Sequence, residues 1–373
     1  MRLLNSFMQK IKGPYFLFAL SICMLLLGCS VSKNYNPDKK YTKERLQGDF
    51  NLLRTILEQK HPSLYWYTSK DSMDYYFNAG YNKITDSLTE LKFGWEVIAP
   101  LLNKIHCGHT SFSLSKNWEK FVRDKRIPSL PLFFKIWNDT MVVTANLNRK
   151  DSVLKKGMLV TSINGIKTKE IIKTIFSYLP QDGYEDNVNY IRVSANFPYF
   201  HRNVFGIYKN YSVQYIDSLG TERKTFVPLF GLSEDTLKKL KILPSVKQKH
   251  LSRKEKFESF RSIQTHDSTA VMTINTFAGG KQLKSFFRQS FRSIKKNKIK
   301  NLVIDIRANG GGDISNYVLL TKYIRSTSFK VADTATSIAK NFAPFTKYIK
   351  SGFINNLGLL FLSKKYSDGR YHF

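Results

Sequence analysis

Leu302-Val303-Ile304-Asp305-Ile306-Arg307-Ala308-Asn309-Gly310-Gly311-Gly312-Asp313 sets the architecture of the last third of the chain. Asn301 to Ile306 is short and nearly continuously apolar, the pattern of a buried strand. The three glycines that follow let the backbone take positive φ and approach another group closely. Ile314 to Ile324 then has helical composition. Upstream, Ala270 to Phe277 reads as another strand, and Lys281 to Lys295 as an amphipathic helix carrying Leu283, Phe286, Phe287 and Phe291. Strand, helix, strand, glycine turn and helix make an α/β layer. Amides exposed at a glycine turn before a helix suit an anion, either a phosphate or the oxygen that gains charge during acyl transfer. A tight packing turn is the third possibility. The phosphate version lacks its usual support, because no Gly-Lys-Ser/Thr follows and the spacing is not Gly-x-Gly-x-x-Gly.

Further from the C-terminus the pattern changes. The segment 262–373 holds the α/β layer, and 232–261 is a charged stretch whose lysines lack the interleaved aromatics that stack bases; it reads as a solvated linker. The segment 127–231 is β-rich. Leu132 to Trp137, the turn Asn138-Asp139 and Met141 to Ala145 form a predicted hairpin. Leu159 to Ile163 ends in Asn164-Gly165 and leads into a helix over 168–179, a sequence that resembles the core of a PDZ domain, a fold that binds extended peptides by adding a strand to a sheet edge. Tyr211 to Tyr215 and Lys224 to Val227 supply its later strands. The segment 41–126 is mostly helical: Leu46, Phe50, Leu53 and Leu57 recur at helical spacing until His61-Pro62. Ser69 and Thr89 are placed to cap two more helices, the first with Met73, Phe77 and Ile84 on one stripe, the second with Phe93, Val97, Leu101 and Ile105. That last helix must end near His106-Cys107-Gly108-His109-Thr110, after which Phe112 and Leu114 alternate as on a short strand.

The glycine motif with its preceding strand closely resembles the signature of the tail-specific (C-terminal processing) proteases, a serine peptidase family that includes the tricorn core. Ile105-His106-Cys107-Gly108-His109-Thr110 resembles the Gly-His-Thr element of the tricorn-like branch, and a PDZ-like module between the two elements fits the same architecture. The resemblance implies an α+β multidomain fold: a helical N-terminal domain, a PDZ-like β-rich domain and an incomplete α/β, crotonase-like protease core. It implies a serine-type endopeptidase acting on peptide or unfolded protein, with no cofactor. By the same resemblance His109 is the general base that takes a proton from a serine hydroxyl, a task suited to an imidazole whose ordinary pKa of ~6.5 lies near neutrality. Gly311 and Gly312 match the turn that supplies an oxyanion N–H. Asp305 and Arg307 match a structural pair, since a charge in an apolar strand needs a partner. His106 matches no family role. Cys107 is set aside as a nucleophile, because neighbouring residues on an extended chain point apart.

In the family, the nucleophilic serine follows the glycine turn by several tens of residues, in an element like Thr-x-Ser-Ala-Ala/Gly. Here Thr336-Ser337-Ile338-Ala339 is the nearest imitation, and it follows no apolar strand. The expectation is a chain truncated before its nucleophile and inactive alone. Two other functions stay open: a non-catalytic peptide-binding lipoprotein using the PDZ-like module, and a basic surface protein that binds anionic polymer.

Composition bounds these readings. The chain has 373 residues, 59 basic against 28 acidic side chains, and a net charge of +31. Its aromatic content excludes global disorder, and the charge favours acidic surfaces without specifying nucleic acid. The first 28 residues read as a signal peptide: Arg2, Lys10 and Lys12 precede an apolar run from Tyr15 to Leu27 that is shorter than the ~20 residues of a membrane span. Leu26-Leu27-Gly28-Cys29 resembles a bacterial lipoprotein cleavage site, with lipid on Cys29, a polar tether over 29–40 and a place in the cell envelope. Of three cysteines, Cys23 would leave with the signal and Cys29 would carry lipid, so Cys107 has no disulfide partner. His106 and His109 lie three apart, but no further cluster completes a metal-ligand set.

Overall fold

The computed structural model describes residues 35–123, 127–231, 252–350 and 364–372. The proposed signal and tether through residue 34, Cys29 among them, and residues 232–251 of the charged linker lie outside the described residues. The chain divides into two compact units, one formed by 1–234 with 337–371 and the other by 235–336 with 372–373. No helix among the described residues is long and apolar enough to cross a membrane.

The first unit opens with a short strand pair, β1 (Lys40–Tyr41) against β2 (Leu88–Thr89), and three helical segments. Helix α1 (Lys43–Lys60) starts where Thr42 accepts the Arg45 N–H and stops at His61. Helix α2 (Lys70–Asn82) starts on Ser69, as its sequence requires, with the Ser69 side chain accepting the Ser72 N–H. Thr89 likewise opens α3, which runs from Glu90–Lys92 through a π-helical stretch, Phe93–Ile98, into Ala99–Asn103. Leu46, Phe50, Leu57, Met73, Phe77, Val97, Leu101 and Ile105 form the core between them. Ile84 belongs to this core from just beyond the end of α2. A side chain at Gly80 would approach the Phe50 ring to 3.0 Å, so glycine permits the close approach of α1 and α2.

After the turn that carries His109, residues 110–115 form no strand with any other segment among the described residues. The alternation of Phe112 and Leu114 has another cause: both lie over Gly94 of α3, and Phe112 meets the Trp95 ring edge-on at 5.5 Å. A short helix, α4 (Lys116–Val122), follows, capped by Ser115.

The β-rich part of the same unit is a six-stranded antiparallel sheet. It is built from β3 (Leu132–Trp137), β4 (Thr140–Asn146), β5 (Leu159–Ile163), β6 (Ile166–Lys167), β7 (Asn210–Ile216) and β8 (Glu222–Pro228). The order is β3-β4-β5-β7-β8, with β6 paired to β5. The predicted hairpin closes through Asn138 at φ 49°, a conformation that asparagine tolerates. Three helices cover the sheet: α5 (Thr168–Phe176), α6 (Asn187–Ala195) and α7 (Phe197–Phe205). The last two were not legible as helices in the sequence. Helix α6 lies along β3, where the Ser194 hydroxyl accepts the Ile136 N–H at 2.9 Å and occupies that strand edge. The core joins Phe134, Ile136, Val143, Ile163, Ile171, Ile175, Phe197 and Tyr211. Asn103, the last residue of α3, is buried, and its Nδ2 donates to the carbonyls of Phe176 and Leu179 at 3.1 and 2.7 Å. The end of α3 thus supplies a donor to the Leu179 carbonyl just past α5 and a second one to the Phe176 carbonyl, which also accepts the Leu179 N–H at 3.0 Å.

The second unit begins with α8 (Arg253–Glu258), opened by a Ser252/Glu255 capping box. Three strands follow: β9 (Arg261–His266), β10 (Thr269–Ile274) and β11 (Asn301–Asp305). The central β10 pairs antiparallel with β9 and parallel with β11. Helix α9 (Leu283–Lys296) crosses from β10 to β11, and α10 (Ile314–Ile324) follows the glycine turn. Met272, Ile274, Leu283, Phe286, Phe287 and Leu320 form the core. The expectation of a fully buried β11 is corrected. Leu302 and Ile304 turn toward this core, but Val303 is 50% exposed, and its register partner Val271 is 38% exposed. A run apolar on both faces is half covered among the described residues, because both helices contribute to the same side.

Candidate functional site

His109 and the glycine turn belong to different units, and each is described within its own. His109 lies exposed in the tight turn that follows α3. The Thr110 N–H returns to the Cys107 carbonyl at 3.0 Å, which closes that turn. Three contacts hold it. At its far end the Thr110 hydroxyl lies 2.7 Å from His61 Nε2, while the Ser63 N–H donates to His61 Nδ1 at 3.3 Å. With Nδ1 accepting, Nε2 carries the proton and donates to Thr110. Burial lowers the His61 pKa and keeps the ring neutral, consistent with that tautomer. In the middle, the Gly108 N–H faces Asp182 Oδ1 at 3.4 Å. At the near end, His106 sits at φ 54°, a left-handed conformation that costs a residue with a Cβ on the order of 1–2 kcal/mol. Its backbone carbonyl accepts the Gly183 N–H at 2.9 Å, and its Nδ1 lies 2.8 Å from the Gly183 carbonyl.

The sequence identified His109 and treated His106 as structural; it did not mark His61, Asp182 or Gly183. Nothing local could have marked them, since 61 and 182–183 meet the turn only through the packing of α1 and the β-rich part. Cys107 is a half-buried free thiol packed on the helical core.

The glycine turn of the second unit is built on β10 and β11. After Asp305 the chain folds back, so that Asn309 Nδ2 donates to the Ile274 carbonyl at 3.0 Å and Asn309 Oδ1 accepts the Gly311 N–H at 2.7 Å. Phe277 then bridges Gly312 in parallel fashion: the Phe277 N–H donates to the Gly311 carbonyl at 2.9 Å, and the Asp313 N–H to the Phe277 carbonyl at 3.0 Å. In such a bridge the N–H of the bridged residue points to the opposite side. The Gly312 N–H therefore faces away from Phe277, on an exposed turn. The Gly311 N–H, by contrast, is engaged. Gly311 and Gly312 take φ of 89° and 144°, and a Cβ on Gly312 would fall 2.2 Å from the Ala278 nitrogen. Asp313 opens α10 by accepting the Ser315 N–H, and hydrogen bonding to the Ser315 side chain and N–H lowers its pKa.

Asp305 and Arg307 form the expected pair. The Arg307 guanidinium donates to both carboxylate oxygens, at 3.0 and 2.8 Å, and its backbone N–H adds a third bond. These bonds pull the Asp305 pKa down to about 2. Among the described residues no group of three or more His, Cys, Asp or Glu side chains is arranged to hold a metal.

Comparison with known proteins places these elements. Residues 268–358, which contain β10, α9, β11, the glycine turn and α10, match the model of Peptidase family S41. Two solved structures are similar in part. A crystal structure of mature CPAF shares 14% identity over 75% of this chain and 58% of its own, with a TM-score of 0.47. A structure of mature CPAF complexed with lactacystin shares 13% identity over 74% of this chain and 59% of its own, with a TM-score of 0.45. The chain thus spans less than two thirds of the length of the structures it matches. No curated protein matches it. Through residues 268–358 and their glycine turn, the chain is similar to Peptidase family S41.

Proposed function

We propose that this protein is a serine-type endopeptidase of the tail-specific class, acting on extended or unfolded polypeptide. In this reading His109 is the general base and Gly312 supplies an oxyanion donor. The observation that carries it is the Gly312 amide: it faces away from its own sheet, from a position that only glycine can occupy, inside the family-matched segment. A backbone N–H fixed in this way needs no reorganisation to meet charge developing on a carbonyl oxygen. Gly311 shapes the turn, its own N–H being taken by Asn309. The exposed His109 ring suits proton transfer with a substrate that arrives from solvent. The reading assigns the nucleophile to no serine of the sequence given. The antiparallel sheet with α5 is read as the PDZ-like module that selects extended peptide, the second unit as the crotonase-like core, and Cys29 as a lipid anchor in the cell envelope.

The test uses the protein expressed from its complete open reading frame and an unstructured reporter peptide. His109→Ala is expected to lower kcat by ~10²–10⁴, the usual contribution of a general base. Cleavage by His109→Ala at the wild-type rate overturns the reading. Peptide binding by the wild type without any cleavage turns it into the non-catalytic peptide-binding alternative.

A further inference from the structure

His106, three residues past the end of α3, takes a left-handed conformation that glycine adopts without strain. A histidine there calls for a use of its ring. The ring is not free: Nδ1 lies 2.8 Å from the Gly183 carbonyl and 3.0 Å from Gln181 Nε2, and Gln181 Nε2 lies 3.3 Å from the same carbonyl. A carbonyl oxygen only accepts, so Nδ1 carries the proton and Gly183 receives both donors. Together with the Gly183 N–H on the His106 carbonyl, His106 and Gly183 exchange two hydrogen bonds in opposite directions. Such a pair fixes orientation as well as distance.

The surroundings are built to the same end. Gly183 stands at φ 62°, and a Cβ there would press on the Tyr67 ring at 3.1 Å. The rings of Tyr67 and Tyr184 flank His106, with centroids 6.3 and 5.1 Å away, and the Tyr184 hydroxyl donates to the Tyr67 carbonyl at 3.2 Å. The segment 180–184 belongs to the β-rich part, between α5 and α6, whereas His106 begins the turn that presents His109.

We propose that His106 is a positioning residue: its reciprocal pair with Gly183 latches the His109 turn to the 180–184 segment, so the direction of the His109 ring is set by the β-rich part. This rests on the reading of His109 as general base. The strain at φ 54° is then offset by the latch and is not a defect of the helix end.

Two variants of the full chain separate a latch from a cap. His106→Gly removes the ring and relieves the backbone. His106→Asn tolerates the left-handed conformation and places Nδ2 where Nδ1 stood. The readouts are Tm, hydrogen exchange at the Gly183 amide, and kcat and KM on the reporter peptide with the complete open reading frame. His106→Gly is expected to keep or raise Tm, to speed Gly183 exchange about tenfold, and to lower kcat at least ~10-fold at unchanged KM, since a small misplacement of a catalytic group is costly in rate. His106→Asn is expected to restore exchange and kcat to within about threefold. A His106→Gly protein with wild-type exchange and kcat overturns the proposal, as does one whose Tm falls sharply. If His109→Ala proves fully active, the peptidase role of His109 fails and exchange still reports on the latch. If His109→Ala is inactive while exchange and kcat of His106→Gly are unchanged, the latch alone fails.

Discussion

At position 312 a methyl group has nowhere to go. Gly312→Ala would drive Cβ into the backbone of Phe277 and Ala278, which are not the ends of flexible side chains. Gly311 is also at positive φ, but nothing lies within 4 Å of its added Cβ. Gly311→Ala is therefore expected to cost about 1 kcal/mol, the price of the left-handed conformation. Gly312→Ala should cost clearly more and should break the Phe277 bridge. Hydrogen exchange at the Phe277 and Asp313 amides checks this, and equal protection in both variants would contradict it. A second residue sets pH dependence. His201 is 3% exposed among Phe197, Phe205 and Tyr211, and burial lowers its pKa to about 4. The folded protein therefore holds this ring neutral, while the unfolded chain binds the proton near pH 6.5. The stability this confers is complete above about pH 6.5 and is lost as pH falls toward 4, on the order of 3 kcal/mol in all. Between pH 7 and pH 5, denaturant midpoints of the wild type should fall, and His201→Leu should flatten that slope. An unchanged slope in the variant would assign the effect elsewhere.

At the scale of elements, one buried amide of α3 bonds to the end of α5. Asn103→Ala strips the Leu179 carbonyl of its donor in a buried place, while the Phe176 carbonyl keeps the Leu179 N–H at 3.0 Å. The expected loss is about 1–3 kcal/mol, the cost of one buried acceptor left unpaired, read from urea denaturation. A change below about 0.5 kcal/mol would mean that water satisfies that carbonyl as well. The strand β11 makes the opposite prediction. Val303 stands on the exposed face of its sheet, so Val303→Lys should change stability by no more than about 0.5 kcal/mol, as surface substitutions do. It should also reduce self-association, because a charge interrupts an apolar strand face. A large loss of stability would show that this face is covered in solution.

For the whole molecule, two compact units with unequal cores predict two transitions. The first unit holds the helical and β-rich clusters, while the second holds a cluster of six buried side chains. Hydrophobic stabilisation follows buried apolar area, so the second unit should lose exchange protection at lower denaturant than the first. A single cooperative transition by all probes would refute independent units. The net charge of +31 acts at this scale too. Binding to an anionic polymer should fall steeply with salt and should not respond to His109→Ala; salt-insensitive binding would point to a specific site.

The sequence by itself determined the local features. Ser69 and Thr89 open helices because a short hydroxyl side chain reaches a free N–H within its own turn. The hairpin at Asn138 and the pair Asp305–Arg307 were legible for the same reason: their partners lie a few residues away. The strand before Gly310 was legible from its own apolar run, although its partner β10 lies some thirty residues earlier. The pattern misled where it counted apolar residues without their neighbours. Phe112 and Leu114 alternate yet form no strand, and β11 is apolar on both faces yet covered on one. Tertiary structure alone decided which amide of the glycine turn faces outward, because a parallel bridge to Phe277 fixes it. It alone brought His61, Asp182 and Gly183 to the His109 turn, because such contacts depend on how helices and sheet pack, and no local rule of the chain encodes that.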